Sequence, residues 1–168
     1  GTVRTFVAMR YWHPRADETA REVAAYAPDR IVLLPLYPQF STTTTASSLA
    51  DWTRAAQRAG LDAPTTTVCC YPLEDGLLGA EATLVRGGVA EAEAAGPVRV
   101  LFSAHGLPEK IVAAGDPYQW QVEQTAAAVA DRAGLAAGQS VVCYQSRVGP
   151  LDWIGPSTED EIARAGRD

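Results

Sequence analysis

Five short apolar runs, each followed by a stretch whose apolar residues recur at helical spacing, set what this chain can fold into. Strand-length and helix-length segments in strict alternation are the signature of crossover connections, and crossovers build parallel sheets covered by helices. The runs at residues 3–9, 30–36, 65–70, 98–103 and 141–144 read as strands of such an α/β fold. Between them, residues 46–59 carry Leu49, Trp52, Ala56 and Ala59 on one helical face, and Gly60 stands where a helix would end. Asp116 and Pro117 form an N-cap and first-turn pair. Val122, Ala126, Val129 and Ala133 then mark one buried face, and Gly134 stops it. Ser157 followed by Asp160 has the spacing of a capping box and opens the last helix.

Residues 89–97, rich in Ala, Glu and Gly, close a long helix and make the best candidate boundary, dividing the chain into parts 1–95 and 96–168. The first apolar run begins only two residues after the start of the sequence, which therefore reads as a piece of a longer chain. A hydrophobic fraction of 47% suffices for a core, and a charged fraction of 20% does not suggest disorder. The net charge of −6 argues against a nucleic-acid partner, which needs a basic face. An anionic small molecule would have to be met by a few placed arginines. The cysteines, Cys69, Cys70 and Cys143, lack the paired spacing of a zinc site and are odd in number, which favours a reducing compartment such as the cytoplasm. No apolar run approaches the roughly 20 residues that cross a bilayer.

The polar residues gather after the strands. Arg10-Tyr11-Trp12-His13-Pro14 follows the first run, and Tyr37-Pro38-Gln39-Phe40-Ser41 follows the second. Ser103-Ala104-His105-Gly106-Leu107-Pro108 lies at the end of the fourth, and Gln145-Ser146-Arg147 follows the fifth. In a parallel sheet all four loops emerge at the carboxyl edge, where such folds bind ligands. Singly, several have plain structural readings: His13 as a loop histidine, Arg10 and Arg147 as strand-end arginines, the hydroxyl run 41–45 as a helix cap. The same run could cradle a phosphate on free backbone N–H groups, which supports a flavodoxin-like phosphate or flavin module as the alternative. His105 stands apart. Placed at a strand end and followed by Gly106 and Pro108, it is either a satisfied histidine supporting the site or an exposed base or metal ligand, and imidazole serves either exposed role near neutrality.

The motifs together resemble one family. The run LPLYPQFSTTTTASSL from Leu34 to Leu49 resembles the first long signature of ferrochelatases, and LFSAHGLP from Leu101 to Pro108 resembles the signature around their essential histidine. GDPY from Gly115 to Tyr118 and QSRVGPLDWIGP from Gln145 to Pro156 complete the order, and Arg10-Tyr11 matches a pair on the inner wall of the family's pocket. The chain resembles the central part of a bacterial-type member. The resemblance implies two similar chelatase-type, Rossmann-like domains with parallel sheets flanked by helices, both incomplete here, with a porphyrin cleft between them. It also implies further strands beyond each end and a catalytic glutamate, partner to the histidine, after Asp168. Residues 1–168 alone would then be inactive and poorly folded.

By the same resemblance the activity is insertion of Fe(II) into protoporphyrin IX or coproporphyrin, forming haem and releasing two pyrrole protons. His105 is the expected catalytic residue, as proton acceptor or as iron ligand, the family's roles here being contested. Arg10, Tyr11, Tyr37, Gln145, Ser146, Arg147 and Trp153 are the expected porphyrin-binding residues. Iron enters as substrate, no cofactor is called for by this segment, and Thr42 stands where some members have a cluster cysteine, so the segment gives no support for a [2Fe–2S] cluster. The partners are porphyrin and ferrous iron; peripheral association with the inner membrane and the oligomeric state stay open. A cobalt chelatase of the same fold class is a second alternative, although a histidine-rich metal site is not visible in a chain with two histidines.

Overall fold

The structure, a computed structural model, describes residues 1–167. The chain is α/β: among the described residues, its strands pair into two small parallel sheets flanked by helices. It separates into two compact units, the first Gly1–Tyr71 and the second beginning at Pro72.

In the first unit, α1 (Ala16–Tyr26) leads to β1 (Ile31–Leu33), α2 (Ser47–Arg58) and β2 (Thr65–Thr67). Strands β1 and β2 run parallel, Ile31 opposite Thr65 and Leu33 opposite Thr67, joined by α2 as the crossover. Ala16, Ala20 and Val23 of α1 pack on Trp52 and Ala55 of α2, with Phe6, Ile31 and Leu33 against them. The small alanines let the two helices approach closely while Trp52 supplies most of the apolar area.

In the second unit, α3 (Asp75–Ala92) precedes β3 (Val100–His105), followed by α4 (Glu109–Ala113), α5 (Tyr118–Ala133), β4 (Ser140–Gln145) and α6 (Thr158–Ala165). Strands β3 and β4 pair in parallel from Val100–Ser140 to His105–Gln145. Leu78 and Ala82 of α3 pack on Val129 of α5 with Phe102 beside them, and Leu107, Val122, Tyr144 and Ile154 form a second cluster. Helix α5 ends in Gly134 at φ +76°, a left-handed turn that a residue with a Cβ adopts at a cost. Asp116 accepts from the Tyr118 N–H at 3.0 Å, so the expected cap is present. Ser157 accepts from the Asp160 N–H at 3.1 Å and its hydroxyl donates to the Asp160 carboxylate at 2.6 Å.

Five expectations are corrected. Two strands are shorter than expected: the runs at 30–36 and 65–70 form strands only over Ile31–Leu33 and Thr65–Thr67, where the two pair. Residues 3–9 form no strand: apart from a single bridge from Met9 to Arg15, the segment has no ladder partner among the described residues. It lies on α1 instead, its Val7 carbonyl accepting from the Thr19 hydroxyl at 2.6 Å. The fourth strand extends to His105 rather than stopping at 103, because pairing with β4 continues to Gln145. The helix expected over 46–59 begins earlier, in a π-type turn at Thr42–Ala46, where the Ala46 N–H reaches back five residues to the Ser41 carbonyl at 3.1 Å.

Candidate active site

In the second unit, β3 and β4 end side by side, so their last residues, His105 and Gln145, are register partners at the carboxyl edge. His105 is exposed there, while Gly106 and Leu107 behind it are buried. The exposed imidazole therefore stands on a backbone that cannot shift freely. That backbone is fixed from three directions: the Gly106 N–H donates to the Gln145 carbonyl at 2.8 Å, the Ile154 N–H to the Leu107 carbonyl at 3.0 Å, and the Glu109 N–H to the Asp152 carbonyl at 2.9 Å.

Gly106 is required by close approach. A Cβ at this position would stand 2.9 Å from the Gln145 carbonyl oxygen, 3.3 Å from Cε3 of the Trp153 indole and 3.5 Å from Cγ of Arg147. The glycine thus lets three of the expected site residues converge beside His105. Ser146, between Gln145 and Arg147, has φ +62°. For a residue with a Cβ this left-handed conformation carries strain, and such strain concentrates where a loop must aim side chains. Gln145, Ser146 and Arg147 are exposed, and Trp153 is half-buried with its indole Nε1 enclosed and without a hydrogen-bond partner.

Beneath His105 lies a pair of phenols. Tyr118 and Tyr144 pack in one cluster with Ala104 and Leu107, the residues that flank the His105–Gly106 pair. Burial raises the Tyr118 phenol above its ordinary range; the His105 backbone, hydrogen-bonded to it, acts in the opposite direction, and the Asp116 carboxylate adds to the rise. Tyr144 is pushed up further, by burial first and then by the Glu123 carboxylate and Tyr118. Both hydroxyls stay protonated and serve as neutral packing groups.

In the first unit, Arg10 is anchored rather than loose. Its Nε donates to the Ser47 hydroxyl at 3.0 Å, its Nη1 lies 3.8 Å from the Asp51 carboxylate, and its guanidinium sits 4.9 Å from the centre of the Tyr11 ring. The start of α2 therefore positions Arg10, and Arg10 in turn braces Tyr11, which is 68% exposed. Tyr37 is exposed in the loop after β1. His13 is exposed, 3.6 Å from the Glu18 carboxylate. The hydroxyl run is occupied with its own backbone: Ser41 accepts from the Thr43 N–H at 3.1 Å and bonds the Thr43 hydroxyl at 2.8 Å, which is the capping role.

The expected residues thus form two groups. His105, Gln145, Ser146, Arg147 and Trp153 come together at the edge of one sheet; Arg10 and Tyr11 come together in the first unit, and Tyr37 follows β1 of that unit. From sequence, Gly106 only shapes the turn after His105 and Tyr118 only closes the GDPY motif. The close approach at Gly106 and the packing of Tyr118 emerge from the structure, and nothing in the sequence distinguished Tyr144 from an ordinary core residue. Among the described residues, no group of three or more His, Cys, Asp and Glu side chains stands together as a metal site, and no helix is long and apolar enough to cross a membrane.

Comparison with known proteins bears on this geometry directly. The ferrochelatase family model matches residues 1–168. The chain is 61% identical over 163 residues to a ferrochelatase of Caulobacter vibrioides (strain NA1000 / CB15N), covering 97% of this chain and 46% of that protein. It is 57% identical to a ferrochelatase of Phenylobacterium zucineum, with the same coverage, and 45% identical over 162 residues to one of Rickettsia bellii, covering 96% of this chain and 44% of the relative. The chain spans about half the length of the curated relatives it matches. With a match along its whole length and an edge histidine built as described, this chain belongs to the ferrochelatase family.

Proposed function

We propose that the chain serves the insertion of Fe(II) into a porphyrin, protoporphyrin IX or coproporphyrin, to form haem with release of two pyrrole protons. The observation that carries this reading is His105: an exposed imidazole on an immobile strand end, with Gln145, Arg147 and Trp153 converging at the neighbouring glycine. Metal insertion requires that pyrrole protons leave while the metal enters, and a fixed imidazole can accept a proton or pass on the metal. A borderline nitrogen donor suits Fe(II) without the tight hold that thiolates would exert. Distorting a bound macrocycle exposes its nitrogen lone pairs, which needs rigid walls to push against. Tyr11, Tyr37 and Trp153 are assigned to contact with the ring, Arg10 and Arg147 to its anionic groups, and Gln145 and Ser146 to orienting it.

Arg10 has a double part in this reading. Its charge is partly answered by Asp51, so its main contribution is to hold Tyr11 in place. The proposal includes a division into chelatase-type parts at 1–95 and 96–168, a cytoplasmic setting, iron as substrate and no cofactor drawn from this segment. In the complete enzyme, His105→Ala should lower iron insertion by about 10²–10⁴-fold. Porphyrin binding, followed by Soret absorbance, should be largely kept. Near-normal turnover of that variant at saturating Fe(II) would remove His105 from the chemistry and with it the reading.

A further inference from the structure

Outside the site described, the densest concentration of nucleophiles is a pair of adjacent thiols just past the carboxyl end of β2. Cys69 is exposed, Cys70 is half-buried, and neither is in a disulfide. The two side chains hydrogen-bond to one another, and this bond, ahead of burial, raises the Cys69 thiol above its ordinary range. The dipeptide is also held at both ends. The Val68 N–H before it donates to the Leu33 carbonyl at 2.9 Å, and the Tyr71 N–H after it donates to the Pro38 carbonyl at 2.8 Å. The Tyr71 hydroxyl adds a bond to the Pro35 carbonyl at 3.1 Å. Two sulfurs in mutual contact, on a pinned backbone and open to solvent, are already arranged for a centre that binds both.

We infer that Cys69 and Cys70 form a two-sulfur chelating site for a trivalent arsenical. The argument for this class is coordination number. Tetrahedral cations such as Zn(II) need about four donors, and no group of three or more His, Cys, Asp or Glu side chains occurs among the described residues. A monosubstituted arsenic(III) centre needs only two, because it brings its third substituent with it. In the binding step two S–As bonds form and two As–O bonds break. The two thiol protons leave with the two hydroxyls as two waters, and no atom changes oxidation state. The raised Cys69 thiol is no obstacle, since the proton departs with the leaving oxygen. The second sulfur acts at a high effective concentration, which adds about 10²–10⁴ to the affinity that a single thiol would give.

Phenylarsine oxide tests the inference on the complete reduced protein, with adducts counted by intact mass. At least one adduct should survive a large excess of 2-mercaptoethanol and be removed by 2,3-dimercaptopropanol. Cys69→Ser and Cys70→Ser should each lower the count of such resistant adducts by one, and Cys143→Ser should not change it. In the unaltered protein, bound arsenical should also shield both Cys69 and Cys70 from N-ethylmaleimide, read on the peptide that carries them. An unchanged count in either single variant, or alkylation of Cys69 and Cys70 at undiminished rates in the arsenical-treated protein, would overturn the assignment.

Discussion

Gly106 and Gln145 are joined by a hydrogen bond of 2.8 Å from amide to carbonyl, and a methyl group on Gly106 would stand 2.9 Å from that same carbonyl oxygen. The bond and the absence of a side chain are therefore one device: the strand end carrying His105 can lie against the β4 loop only if residue 106 has no Cβ. Gly106→Ala should force the Gln145–Arg147 turn outward and lower stability by about 1–3 kcal/mol, as overpacking does. Denaturant unfolding checks the stability. Porphyrin titration checks the second consequence, a weaker complex caused by displaced Arg147 and Trp153. An alanine variant with unchanged stability and unchanged porphyrin affinity would show that the turn has room this geometry denies it.

The parts of the fold legible in the sequence were those governed by local rules. Gly134 at the end of α5, Asp116 at its start and Ser157 at the start of α6 follow from the chemistry of capping, which needs only near neighbours. Residues 3–9 failed because a strand is a relation between two segments, and an apolar run does not state whether a partner is present. The π-type turn failed for a different reason: Ser41, Thr43 and Thr45 suit both a plain cap and a widened turn, and only the Ala46-to-Ser41 bond distinguishes them. For the site, the edge position of His105 was readable, but the crowding around Gly106 was not, since it brings together residues 145, 147 and 153 from beyond α5.

The two arginines should separate when neutralised. Arg147 is exposed, and its assigned work is charge, so Arg147→Ala should weaken porphyrin binding by about 1.5–3 kcal/mol, the range of a charge-assisted bond. Its unfolding free energy should stay within about 0.5 kcal/mol of the parent, as for other surface changes. Arg10 holds Ser47, Asp51 and the Tyr11 ring together, so Arg10→Ala should reduce both porphyrin affinity and stability. Equal effects of both substitutions on stability would mean that the anchoring of Arg10 is incidental.

Ser157 does more than begin α6. Its hydroxyl receives the Asp160 N–H and donates to the Asp160 carboxylate, and the residue before it, Pro156, accepts the Tyr144 N–H at 2.9 Å. The cap thus also fixes the strand residue next to Gln145. Ser157→Ala should cost about 0.5–2 kcal/mol, with Ser157→Thr recovering part of it. Equilibrium unfolding of the two variants is the measurement; a loss that threonine does not relieve at all would argue against capping as the cause.

Tyr144 gives the sharpest dependence on pH. Its ring is 1% exposed and its hydroxyl is buried without a hydrogen bond of ordinary geometry, the Gln119 side chain being the polar group beside it. Burial and the Glu123 carboxylate raise its ionisation, and burial also raises that of Tyr118. In the unfolded chain both phenols ionise near pH 10, about the ordinary tyrosine value. Below that pH both states hold the protons and the native advantage is complete. As pH climbs past it, the unfolded chain releases protons that the fold retains, so stability falls, by on the order of 1 kcal/mol per pH unit for each tyrosine. Tyr144→Phe removes one of these groups and should flatten the alkaline fall by about half. At pH 7 the same change removes a buried hydroxyl that makes no ordinary hydrogen bond, so stability should be equal to the parent or higher. Unfolding free energies measured from pH 7 to 11 check both arms. A neutral-pH loss beyond about 1.5 kcal/mol would show that the hydroxyl is bonded in the native protein, and an alkaline slope unchanged by the substitution would place its cause in other groups.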